Sequence, residues 1–153
     1  MKSHYLYPGN IAAFKEETVI STLLGSCVAV ALYDPEKKIG GLNHYLLPAP
    51  TPNDKICPRY GTVAIAELIT SLKRLGANTD NLKAKIYGGG NVITNVLSGP
   101  SIGSLNIAVA EKILKHLNIP IVEKNVGGTK ARTIKFNTTT FAVLHNVTED
   151  KAA

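Results

Sequence analysis

Tryptophan is absent from this 153-residue chain, and three phenylalanines with six tyrosines are its whole aromatic complement. That is little surface for base stacking, and no nucleic-acid module is recognisable in the sequence. The formal net charge is +6. The lysines are nevertheless scattered, with only short pairs such as Lys37-Lys38 and Lys73-Arg74, so an acidic protein surface is expected as partner rather than nucleic acid. No apolar run approaches the ~20 residues of a membrane helix. The N-terminal stretch Met1 to Asn10 has neither the apolar core nor the cleavage site of a signal peptide. A cytoplasmic protein with no membrane insertion is expected. Cysteine is scarce as well. Cys27 and Cys57 stand 30 positions apart with no CxxC pair, so neither a structural disulfide nor a metal site is expected. GxxxxGK[ST] and GxGxxG are both missing, and Gly88-Gly89-Gly90 and Gly127-Gly128 therefore read as turns rather than phosphate loops. No repeat, linker or low-complexity stretch divides the chain. It reads as one domain, 1–153, with 148–153 a frayed tail.

What is present is a succession of short periodic segments. Thr18 to Thr22 reads as a strand leading into Leu23-Leu24-Gly25-Ser26. Cys27 to Tyr33 is a nearly continuous apolar run of strand length that stops at the turn formers Asp34-Pro35. Ile39 to Leu47 reads as its hairpin partner, and Pro48, Pro50 and Pro52 then open a loop to about Tyr60. Between Gly61 and Leu75 the apolar residues Val63, Ile65, Ala66, Leu68, Ile69, Leu72 and Leu75 recur at helical spacing, and Gly76 is a natural stop. Lys83 to Tyr87 is a short strand. Ser104 to Leu117 is a second amphipathic helix, with Ile107, Val109, Ala110, Ile113, Leu114 and Leu117 as core candidates. Residues 120–126, 131–137 and 140–147 read as three further strands, the last two a hairpin through Thr138-Thr139. Strands adjacent in sequence argue for an α+β fold rather than alternating βαβ units. The expectation is a layered α/β/β sandwich of about seven or more mostly antiparallel or mixed strands with two main helices.

One constellation offers chemistry. Gly25-Ser26-Cys27 puts a cysteine where a glycine turn becomes a strand. Gly25 permits close approach of a substrate. Backbone N–H groups around Gly25 and Ser26, ahead of the sheet ladder, are free to face an oxyanion. If the turn centres near Glu36-Lys37, Cys27 falls opposite positions 45 to 46, which brings His44 within reach as a base. Ser21 or Thr22 could accept the second imidazole N–H, with Asp34 and Asn43 as chemical alternatives. Taken singly, a cysteine on an apolar strand is more often inert core, and a single histidine more often structural. Cys57, His4, His116 and His145 have no partner that would give them a role.

The segments Thr22 to Val30, Asp34-Pro35 and Gly40-Gly41-Leu42-Asn43-His44-Tyr45-Leu46-Leu47-Pro48 resemble the signature of the chemoreceptor glutamine deamidases (CheD). The likeness continues through Tyr60, Lys85 to Gly90, Ser101-Ile102-Gly103 and Gly127-Gly128-Thr129-Lys130-Ala131-Arg132. It implies Cys27 as nucleophile and His44 as base. The family's third member is a threonine six positions before the cysteine, which falls on Ser21 here, with Thr22 as the alternative. One departure stands out: Leu105 precedes Asn106 where relatives often carry arginine. The resemblance also implies an activity, deamidation of glutamine to glutamate on methyl-accepting chemotaxis receptors, with ammonia released and no cofactor. Glutamyl methyl ester hydrolysis by the same groups, a CheC-type phosphatase as second partner, and a role in chemotactic adaptation belong to the same expectation. An adaptor that serves mainly to bind the CheC phosphatase, and a deamidase of a non-receptor protein, are the competing readings.

Overall fold

The computed structural model describes residues 1–91 and 99–147. The expected frayed tail at 148–153 lies outside the described residues. In chain order the elements are β1 (Lys2–Tyr5), β2 (Ile11–Phe14), β3 (Thr18–Leu24), β4 (Val28–Asp34), β5 (Ile39–Asn43), α1 (Gly61–Arg74), β6 (Lys83–Gly88), α2 (Ile102–His116), β7 (Ile121–Val126), β8 (Arg132–Asn137) and β9 (Val143–Val147). They form a four-stranded sheet in the order β1-β3-β8-β9 and a five-stranded sheet in the order β2-β5-β4-β6-β7. The pairs β1/β3 and β6/β7 are parallel. The remaining ladders are antiparallel.

The apolar contacts define three layers. On one face of the five-stranded sheet, Val28, Val30 and Leu32 of β4 and Ile86 of β6 meet Ile65, Leu68 and Leu72 of α1 and Ala110 and Leu114 of α2. On its other face Ala29, Ala31, Tyr33, Leu42 and Tyr87 meet Ile20 and Leu24 of β3 and Ile134 and Phe136 of β8. The α+β sandwich expected from the sequence is the one observed. Because β4 is central and covered on both faces, all seven of its residues are buried, and this is why its sequence is a continuous apolar run without alternation. β3 has one face only in the interior and alternates accordingly, with Ile20, Thr22 and Leu24 inward and Leu23 half exposed.

Several boundaries differ from the sequence reading for identifiable reasons. β1 and β2 were not expected, being four residues each and lacking buried alternation; backbone pairing with β3 and β5 makes them strands. The strand expected over 39–47 stops at Asn43, whose Oδ1 accepts the Val30 N–H at 2.8 Å in place of a backbone carbonyl. α2 begins earlier than expected, at Ile102, because the Ser101 hydroxyl accepts the Ser104 N–H as an N-terminal cap. Leu117, expected in the core, is 47% exposed just beyond the end of α2.

The two sheets are also tied at the end that carries Cys27. Arg132, opposite Leu24 in the β3/β8 ladder, sends its guanidinium to the Asn125 carbonyl and side chain and to the Gly127 carbonyl at the end of β7. Arg132 is nearly fully buried, so a planar fork meeting three oxygens stands in for the carboxylate that a buried cation otherwise needs.

Candidate active site

Cys27 occupies the short passage from β3 to β4. Two backbone bonds fix that passage to the glycine segment after β6: Gly89 N–H donates to Cys27 O at 2.8 Å and Gly90 N–H to Gly25 O at 2.9 Å, while Gly127 N–H, just past β7, donates to Gly88 O at 2.9 Å. Gly88 is a position where glycine is required. Its φ is +105°, and a Cβ there would collide with the Cys27 carbonyl.

His44 follows the last residue of β5, and its backbone is held from the N-terminal segment. Its N–H donates to Asn10 O at 3.2 Å, and its carbonyl accepts the Gly9 N–H at 2.8 Å. Val28 and Tyr45 exchange both backbone hydrogen bonds, at 3.1 and 3.0 Å. This pairing puts Cys27 opposite Leu46, within the interval expected from the hairpin, and makes His44 its diagonal neighbour. Diagonal pairs stand about 7–8 Å apart at Cα and somewhat less at Cβ, within reach of an imidazole. Cys27 packs against the inter-sheet cluster, and His44 reaches Thr22 of β3 in the same layer.

Of the two hydroxyls considered, Thr22 is the one that meets His44. Its Oγ1 lies 2.6 Å from His44 Nδ1 and 2.8 Å from the Leu6 carbonyl. A carbonyl can only accept, so the hydroxyl proton goes to Leu6 and the oxygen lone pair takes the Nδ1–H. That leaves Nε2 with its lone pair, buried and without a hydrogen-bond partner among the described residues. Ser21, the position indicated by the resemblance, makes no side-chain hydrogen bond to His44. It is half-buried on the opposite face of β3, paired with Tyr5 on one side and Lys135 on the other. Alternation along the strand turns Ser21 away and sends Thr22, with Ile20 and Leu24, inward toward His44.

The other candidates have different work. Asp34 is fully buried, and burial alone would raise its carboxyl. Backbone N–H groups of Asn78, Lys37 and Glu36 outweigh that and hold it below its ordinary value, so it organises the turn. Asn43 serves the Val30 N–H. Cys57 is a free thiol in the loop before α1. Among the described residues no group of three or more His, Cys, Asp or Glu side chains could hold a metal ion.

Burial sets the resting protonation of the pair. It lowers His44 to about 4, so the ring is neutral at ordinary pH. It also pushes the Cys27 thiol up, an effect that the residue's own backbone N–H partly offsets. The pair therefore rests as thiol and neutral imidazole. No other described residue accepts the backbone N–H of Ser26 or Cys27, so neither is held by the fold away from a developing oxyanion.

Two contributors were not singled out from the sequence. The Leu6 carbonyl carries no sequence signal, being backbone. Asn106 is fully buried on α2, and its Nδ2 donates to Ser26 O at 3.0 Å and Leu46 O at 2.9 Å. Its signal was an amide within the buried stripe Gly103, Asn106, Ala110, Leu114 of an otherwise apolar helix face.

The CheD family profile, described as CheD chemotactic sensory transduction, matches residues 46–146, more than half of the chain. The chain belongs to the CheD family. Its similarity to individual members extends further toward the N-terminus than the profile match. It is 40% identical over 133 residues to a probable chemoreceptor glutamine deamidase CheD 1 of Anaeromyxobacter dehalogenans, covering 87% of this chain and 77% of the relative. It is 36% identical over 144 residues to a probable chemoreceptor glutamine deamidase CheD of Trichlorobacter lovleyi, covering 94% and 89%. A Clostridium acetobutylicum protein with the same description is 39% identical over 130 residues, covering 82% and 78%. Within this CheD chain no described helix is long and apolar enough to cross a membrane.

Proposed function

We propose that this chain is a cysteine hydrolase that converts glutamine side chains of methyl-accepting chemotaxis receptors to glutamate. The observation that carries the reading is the state of His44 in a CheD-family chain. Its Nδ1–H is committed to Thr22, while Nε2 has no partner among the described residues in the layer that also takes Cys27.

In this reading Cys27 Sγ attacks the side-chain amide carbon as its proton passes to His44 Nε2. The oxyanion sits against the Ser26 and Cys27 N–H groups, beside the turn at Gly25. His44 then returns the proton to the leaving nitrogen, ammonia departs, and a thioester remains. Water, losing a proton to His44, attacks the thioester and frees glutamate and the Cys27 thiol. Glutamyl methyl esters present the same acyl carbon with methanol as leaving group, so their hydrolysis belongs to the proposal. The net charge of +6 favours encounter with the acid-rich helices of a receptor's cytoplasmic region. A CheC-type phosphatase is proposed as second partner, and the residues 1–153 as one functional unit.

The test is incubation with a purified receptor cytoplasmic fragment, read by mass spectrometry as a gain of ~1 Da for each amide converted to acid by the thioester route. Conversion by the wild type and none by Cys27→Ala is the expected result. Equal conversion by both would remove Cys27 from the mechanism.

A further inference from the structure

We propose that Asn106 is a positioning residue that holds Cys27 and His44 in working register by separating their two backbone segments at the open end of the β4 ladder. The inference rests on the reading of Cys27 and His44 as nucleophile and base.

Val28 and Tyr45 form a hydrogen-bonded pair. In a continuing antiparallel ladder the next exchange, two residues out, would join Ser26 and Leu47. It does not form. Leu46 and Leu47 N–H both turn to Arg59 O, at 2.9 and 3.3 Å, and Leu47 O accepts the Gly61 N–H at 2.8 Å. Among the described residues the carbonyls of Ser26 and Leu46 are left without backbone donors. Asn106 Nδ2 has two hydrogens, and it directs one to each of these carbonyls. The amide cannot be flipped, because Oδ1 in that place would face two acceptors.

The consequence falls on the site. Ser26 is bonded to Cys27, and Leu46 is two residues beyond His44, so a single planar amide fixes the separation of the nucleophile turn and the base segment. It also keeps the ladder from zipping further, which leaves the Ser26 N–H unclaimed. Anchorage of α2 does not require it. Ala110 and Leu114 pack into the core, and the Tyr45 hydroxyl donates to the Asn106 backbone carbonyl at 2.5 Å, a bond any residue at 106 would preserve. The amide even leaves its own Oδ1 buried without a partner among the described residues, a cost that an apolar residue would avoid. What an apolar residue could not do is serve the two carbonyls.

The test uses the full chain with Cys57→Ser, so that iodoacetamide reports on Cys27 alone. Asn106→Ala, and Asn106→Ser, which keeps one donor hydrogen for two carbonyls, are compared with Ser101→Ala, which loosens α2 at its cap without touching the site. For Asn106→Ala we expect at least a tenfold slower Cys27 alkylation at pH 7 and an alkaline displacement of its pH profile. Deamidation should show a lower kcat with KM within twofold. Asn106→Ser should fall between, and remains informative if Asn106→Ala does not fold. Ser101→Ala should lower Tm and leave profile and kcat in place. His44→Gln serves as the control for the pair itself. Alkylation that depends on His44 but follows the Ser101→Ala pattern in both Asn106 variants overturns the positioning role alone. Alkylation indifferent to His44 overturns the nucleophile–base pair, and the positioning role with it.

Discussion

Thr22 Oγ1 stands 2.6 Å from His44 Nδ1 and 2.8 Å from Leu6 O, so one hydroxyl joins the N-terminal segment to the imidazole and fixes its tautomer. The geometry resembles the orienting role of the carboxylate in a Ser-His-Asp triad, with a neutral acceptor in its place. A neutral partner suits a buried ring that stays uncharged at rest, since it does not pull the imidazole toward protonation.

Thr22→Ala should therefore lower kcat roughly 10- to 100-fold, equivalent to about 1.4–2.7 kcal/mol of lost transition-state stabilisation. Thr22→Ser keeps the hydroxyl and should retain most activity. Ser21→Ala, on the opposite face, should change kcat less than about threefold, within the range of a surface substitution. Steady-state kinetics on a receptor fragment distinguish the two positions, and an equal loss from Ser21→Ala and Thr22→Ala would contradict the face assignment.

The protonation of His44 predicts a direction for stability. Its folded value is lowered to about 4 by burial, against an ordinary 6.5. As pH falls below 6.5 the unfolded chain takes up the proton first, so stability is lost progressively until pH approaches 4. Above 6.5 both states are neutral and the full stability is present. Between pH 7 and pH 5 the group should account for about 2 kcal/mol of lost stability. Urea unfolding at the two pH values measures this, and His44→Gln should reduce the difference by a similar amount.

Two glycines with positive φ should behave differently. Gly88→Ala meets both the left-handed backbone and the Cys27 carbonyl, and should cost about 2 kcal/mol or more, roughly 4–8 °C in Tm. It should also slow Cys27 alkylation, because that carbonyl is what must move. At Gly127, φ +82°, a Cβ would have nothing within 4 Å. Gly127→Ala should show only the backbone penalty of about 1–2 kcal/mol. Calorimetry and thiol alkylation on the two variants separate strain from collision.

The sequence by itself determined the elements whose signal is local. The β4 run, the Asp34-Pro35 turn, the two amphipathic helices and the Gly25-Ser26-Cys27 passage are each written in contiguous residues, and the β4/β5 hairpin turn set the register that makes Cys27 and His44 diagonal neighbours. Only the tertiary structure decided which hydroxyl meets His44. Ser21 and Thr22 differ by one step along β3, and one step reverses the face; which face is inward depends on the five-stranded sheet packing against β3, a contact between distant segments. The same holds for β1 and β2, which exist through pairing rather than pattern, for Leu6, whose carbonyl acts through its position alone, and for Asn106. An amide on a helix becomes meaningful only when packing brings it between two carbonyls from different strands.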